Sequence, residues 1–263
     1  MKYITSILLL LFSASCFSQN NFNLMATINT ESDFFTTDNL CNVYVVKKNE
    51  LTKYDKTGKL LYKYSNNSFG NITSVDVSNM LRIMVFYRDF LQVVFLDNTL
   101  SVTGDAISLE QLGFQQTQLA CASHNSGWWI YDQQNFELIR LDQNLAKTQQ
   151  TGNLSTTLFT TIQPNRLVEY DNKIFLNNPS SGVLIFDVYG TYNKTIALKG
   201  ALQFQPIGDW IYFMSDNGVK AYNYITTDQK QFDMPAVPYD AFRLEFGTLA
   251  LHTPRAIYLY ASE

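Results

Sequence analysis

A short apolar run ending in a turn-forming residue returns along this chain about every 40 residues, a spacing typical of folds built by stacking one supersecondary unit many times. Leu51 to Asp55, Val93 to Asp97, Leu138 to Asp142 and Val183 to Asp187 are the clear copies, and Val219 to Asn223 and Ile257 to Ala261 are weaker ones. Their last residues fall at 55, 97, 142, 187, 223 and 261, so the steps are 42, 45, 45, 36 and 38. A repeat this loose tolerates loops of different length while the strands keep their places.

Each copy has a second strand upstream. Gly127 to Tyr131, the turn Asp132 to Asn135 and Phe136 to Leu141 form one pair. Lys173 to Leu176 and Val183 to Phe186 flank a turn at Asn177 to Gly182; Trp210 to Met214 and Val219 to Tyr222 flank another at Ser215 to Gly218. Runs of this length bounded by Asn, Asp, Gly and Pro are strand and hairpin signals. The unit is therefore predicted to be a four-stranded antiparallel blade, with helix confined to a turn near Ser108 to Leu112. Of the adjacent Trp128 and Trp129, strand alternation sends one ring into an interblade core and one outward. The repeated Asp has a structural role: at a strand end its carboxylate bonds to backbone amides two residues on and sets the next turn.

The number of blades follows from the two ends. The sixth copy, Phe246 to Leu251 and then Ala256 to Tyr260, stops at Glu263 before its fourth strand, while Phe22 to Ile28 is strand-like and belongs to no unit. If that segment completes the last blade, the ring closes without a free edge. The predicted fold is an all-β, six-bladed β-propeller closed by an N-terminal strand, one domain over residues 19–263. On this architecture the chain resembles the NHL, TolB-like and quinoprotein-type propellers of exported proteins. The resemblance covers essentially all of residues 19–263 and implies the fold.

Residues 1–18 read as a signal peptide: Lys2, the apolar run Ile7 to Phe12, then small polar residues. Cleavage is expected after Ser18. The competing possibility is a lipid anchor at Cys16, preceded by Ser13-Ala14-Ser15 but without the usual Leu three residues ahead. No later apolar stretch reaches the roughly 20 residues of a membrane span. The net charge of −4 is spread rather than blocked, which disfavours nucleic acid as a partner. Cys41 and Cys121, the cysteines outside the leader, are expected to be buried reduced thiols. No CxxC accompanies the two histidines, no phosphate loop appears, and the repeats lack a tryptophan signature for a quinone. No metal or cofactor is expected.

In such a ring, the loops between second and third strands share one face with the connections between blades. The candidate interaction face takes Tyr87, Arg88, Asp89, Asn135, Asn178, Asp216, His252 and Arg255 from those loops, rimmed by the longer connections 105–114 and 152–165. A Ser-His-Asp hydrolase is disfavoured, because His124 and His252 emerge on opposite faces and there is no Gly-x-Ser-x-Gly elbow. The expected function is non-catalytic: a scaffold or accessory subunit that meets other envelope proteins in a bacterial outer-membrane complex. The alternative is a carbohydrate-active lyase or glycosidase, or a glycan binder, drawing its carboxylates from Glu50, Asp89 and Asp216.

Overall fold

The computed structural model describes residues 22–215 and 218–262; the leader, Cys16 and Asp216 lie outside them. Strand β1 (Phe22–Asn29) precedes blade 1, which is β2 (Phe34–Thr37), β3 (Val43–Lys47), β4 (Glu50–Tyr54) and β5 (Leu60–Ser65). Blade 2 is β6 (Ser74–Asp76), β7 (Ile83–Tyr87), β8 (Gln92–Leu96) and β9 (Ile107–Ser108). Blade 3 is β10 (Thr117–Ala122), β11 (Trp128–Asp132), β12 (Glu137–Leu141) and β13 (Lys147–Gln150). Blade 4 is β14 (Arg166–Tyr170), β15 (Lys173–Asn178), β16 (Gly182–Asp187) and β17 (Tyr192–Ile196). Blade 5 is β18 (Phe204–Ile207), β19 (Trp210–Ser215), β20 (Gly218–Asn223) and β21 (Gln229–Gln231). Blade 6 is β22 (Ala241–Glu245), β23 (Thr248–Thr253) and β24 (Ala256–Ser262), and its fourth strand is β1. The chain is thus a six-bladed β-propeller. Closure follows the expected route, with β1 antiparallel to β24 from Phe22 opposite Ser262 to Asn29 opposite Ala256 and a bulge at Met25.

The core is divided among the seams between blades. Ile83, Val85 and Tyr87 of β7 pack with Tyr44, Val46 and Leu51 of blade 1, whereas Met84 and Phe86 of the same strand pack with Trp128 and Ile130 of blade 3. Successive side chains of a strand point to opposite faces, and here both faces meet a neighbouring blade. That is why the central strands read as unbroken apolar runs instead of alternating ones. It also corrects the reading of the tryptophans. Trp128 belongs to the seam with blade 2 and Trp129 to the seam with blade 4, and both are fully buried.

The repeated aspartates cap the turns between third and fourth strands. Asp55 Oδ1 accepts from the backbone N–H of Thr57 at 2.8 Å and of Lys59 at 3.0 Å. Asp97, Asp142 and Asp187 each repeat this pattern on the residues two and four places on. Asn223 does a similar job in blade 5, accepting from Ile225 and Thr226. These hydrogen bonds lower the carboxyl pKa of Asp55: the one from the Thr57 hydroxyl counts most, and those from the Lys59 and Thr57 amides add to it against the opposing effect of desolvation.

Two local expectations are corrected. Residues 109–112 form turns rather than a helix, closed by Gly113 at φ +90° so that the chain turns back toward β10. The α-helix among the described residues is α1 (Leu154–Leu158), started by Asn153, whose side chain accepts from Thr156 N at 2.8 Å. Both cysteines are free; Cys121 is buried as expected, but Cys41 is half-buried, in the turn after β2.

Candidate functional site

Antiparallel order forces the turns between second and third strands, and the connections between blades, onto one face, here called upper. The turns between first and second and between third and fourth strands occupy the lower face. On the upper face Arg88 and Asp89 are exposed in a short 3-10 turn, with Nε and Oδ1 3.8 Å apart. Asn135 is exposed and donates to Asp132 Oδ2 at 2.7 Å. Arg255 is exposed at the β23–β24 turn. Three other residues assigned to this face are interior. Tyr87 is fully buried and donates its hydroxyl to Tyr64 at 3.0 Å. Asn178 is fully buried, where its amide bonds to Thr161 O, Ser180 and Ser181 and its oxygen accepts from Gln163 N. His252 is 3% exposed and stacks on Phe35, with ring centroids 5.4 Å apart. In each case the second strand runs further than its polar residues indicated, and the loops from neighbouring blades fold over its end.

His252 sits in a relay that the spacing of the sequence conceals. Its Nε2 lies 2.8 Å from Ser32 Oγ and its Nδ1 contacts Asp240 Oδ1. The atoms match a nucleophile, base and orienting carboxylate, but the burial runs the other way. Ser32 is 5% exposed, while the Asp240 side chain is 54% exposed. A hydrolase needs its serine open to substrate and its carboxylate dry. The relay instead ties three upper loops together where blades 5, 6 and 1 meet. A fluorophosphonate probe is expected to leave Ser32 unmodified, as read by intact mass; stoichiometric labelling, lost in Ser32→Ala, would make the relay catalytic.

His124 is built differently and lies on the lower face. Its Nδ1 is shared by Ser123 Oγ at 3.3 Å and Glu169 Oε1 at 2.9 Å, so no proton passes from one ring nitrogen to the other. Burial alone would raise the pKa of Glu169. Hydrogen bonds from Ser123, His124 and Trp129 outweigh it and hold the carboxyl below its usual range.

Of the three carboxylates considered for an enzymatic reading, Glu50 and Asp89 lie away from the innermost strands, and Asp216 is outside the described residues. Glu50 pairs with Lys63 on the outermost strand at 3.2 Å, and Asp89 is in the outer turn beside Arg88. The innermost strands carry a different set, which sequence reasoning missed: Asp76 on β6, Arg166 and Glu169 on β14, Gln205 on β18, and Arg243 and Glu245 on β22. A faint signal was present in Arg166-Leu167-Val168-Glu169 and Arg243-Leu244-Glu245, charges inside short first strands. Most of these side chains bridge blades. Asp76 Oδ2 accepts from Ala122 N at 2.9 Å, and Gln205 exchanges two hydrogen bonds with the backbone of Leu244. Glu245 accepts from Thr37 Oγ1 at 2.9 Å and from Arg243 at 3.3 Å. Burial raises the pKa of Glu245 against the pull of Arg243. A recess of about 360 Å³ lies on the upper side of blade 5, lined by Phe232, Met234, Pro235 and Tyr239 among others. Among the described residues no three His, Cys, Asp or Glu side chains gather as metal ligands, and no helix is long and apolar enough to cross a membrane.

No protein-family model matches the chain, and no curated protein sequence matches it. Solved structures do resemble it. Streptogramin B lyase superposes with a TM-score of 0.64 at 12% identity, covering 92% of this chain and 98% of that one. BamB from Moraxella catarrhalis gives 0.59 at 11% identity, covering 92% and 100%. BBS1N, solved in complex with ARL6DN, gives 0.57 at 14% identity, covering 84% and 75%. At these identities the likeness is one of fold. An enzyme and a partner-bound protein share it, so function has to be argued from the residues.

Proposed function

We propose that this chain is a non-catalytic, exported propeller that acts as a protein-interaction disc, a scaffold or accessory subunit of a bacterial envelope or outer-membrane complex. The observation that carries the reading is the make-up of the exposed upper face. Large apolar side chains stand free at loop tips there, Phe90 55%, Phe159 93% and Leu202 69% exposed, and the charged Arg88 and Arg255 are exposed on the same face. Exposed aromatic and aliphatic tips with arginines around them are the composition of a protein-binding patch. Support for the absence of catalysis comes from the carboxylates. A lyase or glycosidase on this fold needs two facing one another, whereas Glu50 and Asp89 are spent in ion pairs on the outer parts of their blades. Export rests on the leader read in the sequence.

The lower face supplies a second patch. Leu40, Leu81 and Phe246, 63%, 74% and 84% exposed, stand at the first-to-second strand turns of the adjacent blades 1, 2 and 6. The test separates the faces. Arg88→Glu with Arg255→Glu is expected to abolish co-purification of partner proteins from gently solubilised envelope while leaving the unfolding midpoint unchanged, because exposed loop charges contribute little to stability. Asp89→Asn should leave capture intact. Capture that survives the arginine pair but is lost in Leu81→Ser with Phe246→Ser would move the interface to the lower face. Polysaccharide turnover lost in Asp89→Asn would replace the interaction reading with an enzymatic one.

A further inference from the structure

The other charged side chains of the inner strands, Asp76, Glu169, Arg243 and Glu245, hydrogen-bond to a neighbouring blade or within their own strand. Arg166, the first residue of β14, has no hydrogen bond or ion pair among the described residues. Its guanidinium carbon lies 5.9 Å from the centroid of the Phe204 ring. Its Nε is buried without a partner, and so is Oδ1 of Asn177, the residue directly opposite on β15. A buried donor and acceptor on neighbouring cross-strand positions can satisfy each other directly or through water. Even then the remaining guanidinium N–H groups have no acceptor among the described residues.

Position gives this side chain a purpose. Arg166, Arg243 and Asp76 come from blades 4, 6 and 2, alternate members of the ring, so they approach the axis from three sides. Counted from the upper hairpin, Arg166 lies opposite the next-to-last residue of its second strand. Asp76 and Arg243 lie two residues lower, opposite Met84 and Ala250. Arg166 therefore stands above the other two, near the upper mouth. Arg243 is engaged on its lower side, by Glu245 at 3.3 Å and Thr37 at 3.3 Å.

We propose that the upper part of the central channel binds an oxyanion, a carboxylate or a phosphate, between Arg166 and Arg243. Two guanidinium groups held in a partly dry channel repel each other, and a fork of N–H donors matches an oxyanion in both charge and geometry. Burial and the nearby Arg243 together bring the Arg166 pKa down to about 10, and Asp76 opposes them only weakly. Asp76 is no substitute for a ligand, because its oxygens already accept from Ala122 N and Ser78 N and it makes no ion pair with Arg166 within 4.0 Å. Nor does Glu245 serve, being committed to Thr37, Gln205 and Arg243 below. The acceptors that the remaining Arg166 N–H groups need are not among the described residues, which leaves them to solvent or a bound oxyanion. This site does not depend on the interaction reading, since it is tested with the purified chain alone.

The experiment is calorimetric titration at constant ionic strength with inorganic phosphate and, separately, with succinate, so that the two oxyanion sources are distinguished. One-site binding of at least one probe is expected, weakened at least tenfold in Arg166→Gln and several-fold in Arg166→Lys, which keeps the charge but not the fork. Arg88→Glu, on the outer part of the same face, should bind as the wild type does. Should Arg166→Gln fail to fold, Arg166→Lys and Arg243→Lys decide the matter. Absence of binding by both probes, or undiminished binding in the folded Arg166 variants, overturns the proposal.

Discussion

A chain beginning at Thr30 is expected to self-associate. Removing β1 leaves β24 as the free edge of a three-stranded blade, and its sequence Ala256-Ile257-Tyr258-Leu259-Tyr260 is apolar and rich in β-formers. Such an edge recruits other chains. The deletion also removes Ile28, 3% exposed, from the seam between blades 6 and 1, where it packs with Phe35, Val43 and Ile257. Losing one buried Ile costs about 2–5 kcal/mol, and each backbone hydrogen bond of the seven-residue pairing adds about 1 kcal/mol. Together these approach the roughly 5–15 kcal/mol that holds a typical domain folded. Size-exclusion chromatography should show larger species than the intact chain forms, and a peptide of residues 22–29 added in excess should reverse part of the shift. A truncated chain that elutes as the intact one does, with an unchanged denaturation midpoint, would mean that the ring does not depend on this strand for closure.

What could be read from the sequence was set by the range of the interactions. The turn-capping aspartates were legible because their hydrogen bonds reach only two and four residues ahead, so residue type and spacing carry the whole geometry. Closure was legible because an unpaired strand at one end and an unfinished blade at the other are complementary. The buried state of Tyr87, Asn178 and His252 was not. It depends on loops from neighbouring blades, such as 161–163 over Asn178 and Ser32 over His252. The same holds for the relay, whose Ser32 is 220 positions from its histidine. The inner strands escaped notice for another reason. β6 has three residues and β2 has four, too few to show a period, and the charges they and their neighbours carry make sense only once six inner strands surround one axis.

Gly182→Ala is expected to be the most damaging single-atom addition to this fold. Gly182 opens β16 opposite Asn178, fully enclosed, with φ at +118°, a conformation that L-residues rarely adopt. A Cβ placed there would lie 2.1 Å from the carbonyl oxygen of Ile196 and 2.8 Å from the amide nitrogen of Leu198. Both are backbone atoms at the end of β17, so no side-chain rotation relieves the contact; the fourth strand of blade 4 has to move away from the third. The strand cannot move alone, because Ile196 is buried in the seam with blade 5 against Phe204 and Tyr224. Strain of this kind belongs to the tail of mutational effects, about 4 kcal/mol or more, and at this chain length each kcal/mol lowers the melting temperature by about 2–4 °C. Gly104→Ala is the control. Its φ of +84° is also positive, but no atom beyond the residue and its two chain neighbours lies within 4 Å of the added methyl. A cost of about 1 kcal/mol is expected there. Chemical denaturation of the two variants therefore separates the dihedral penalty from the collision with Ile196. Equal losses would show that blade 4 yields at β17 without cost, and that its outer strand is not held in place by the seam behind it.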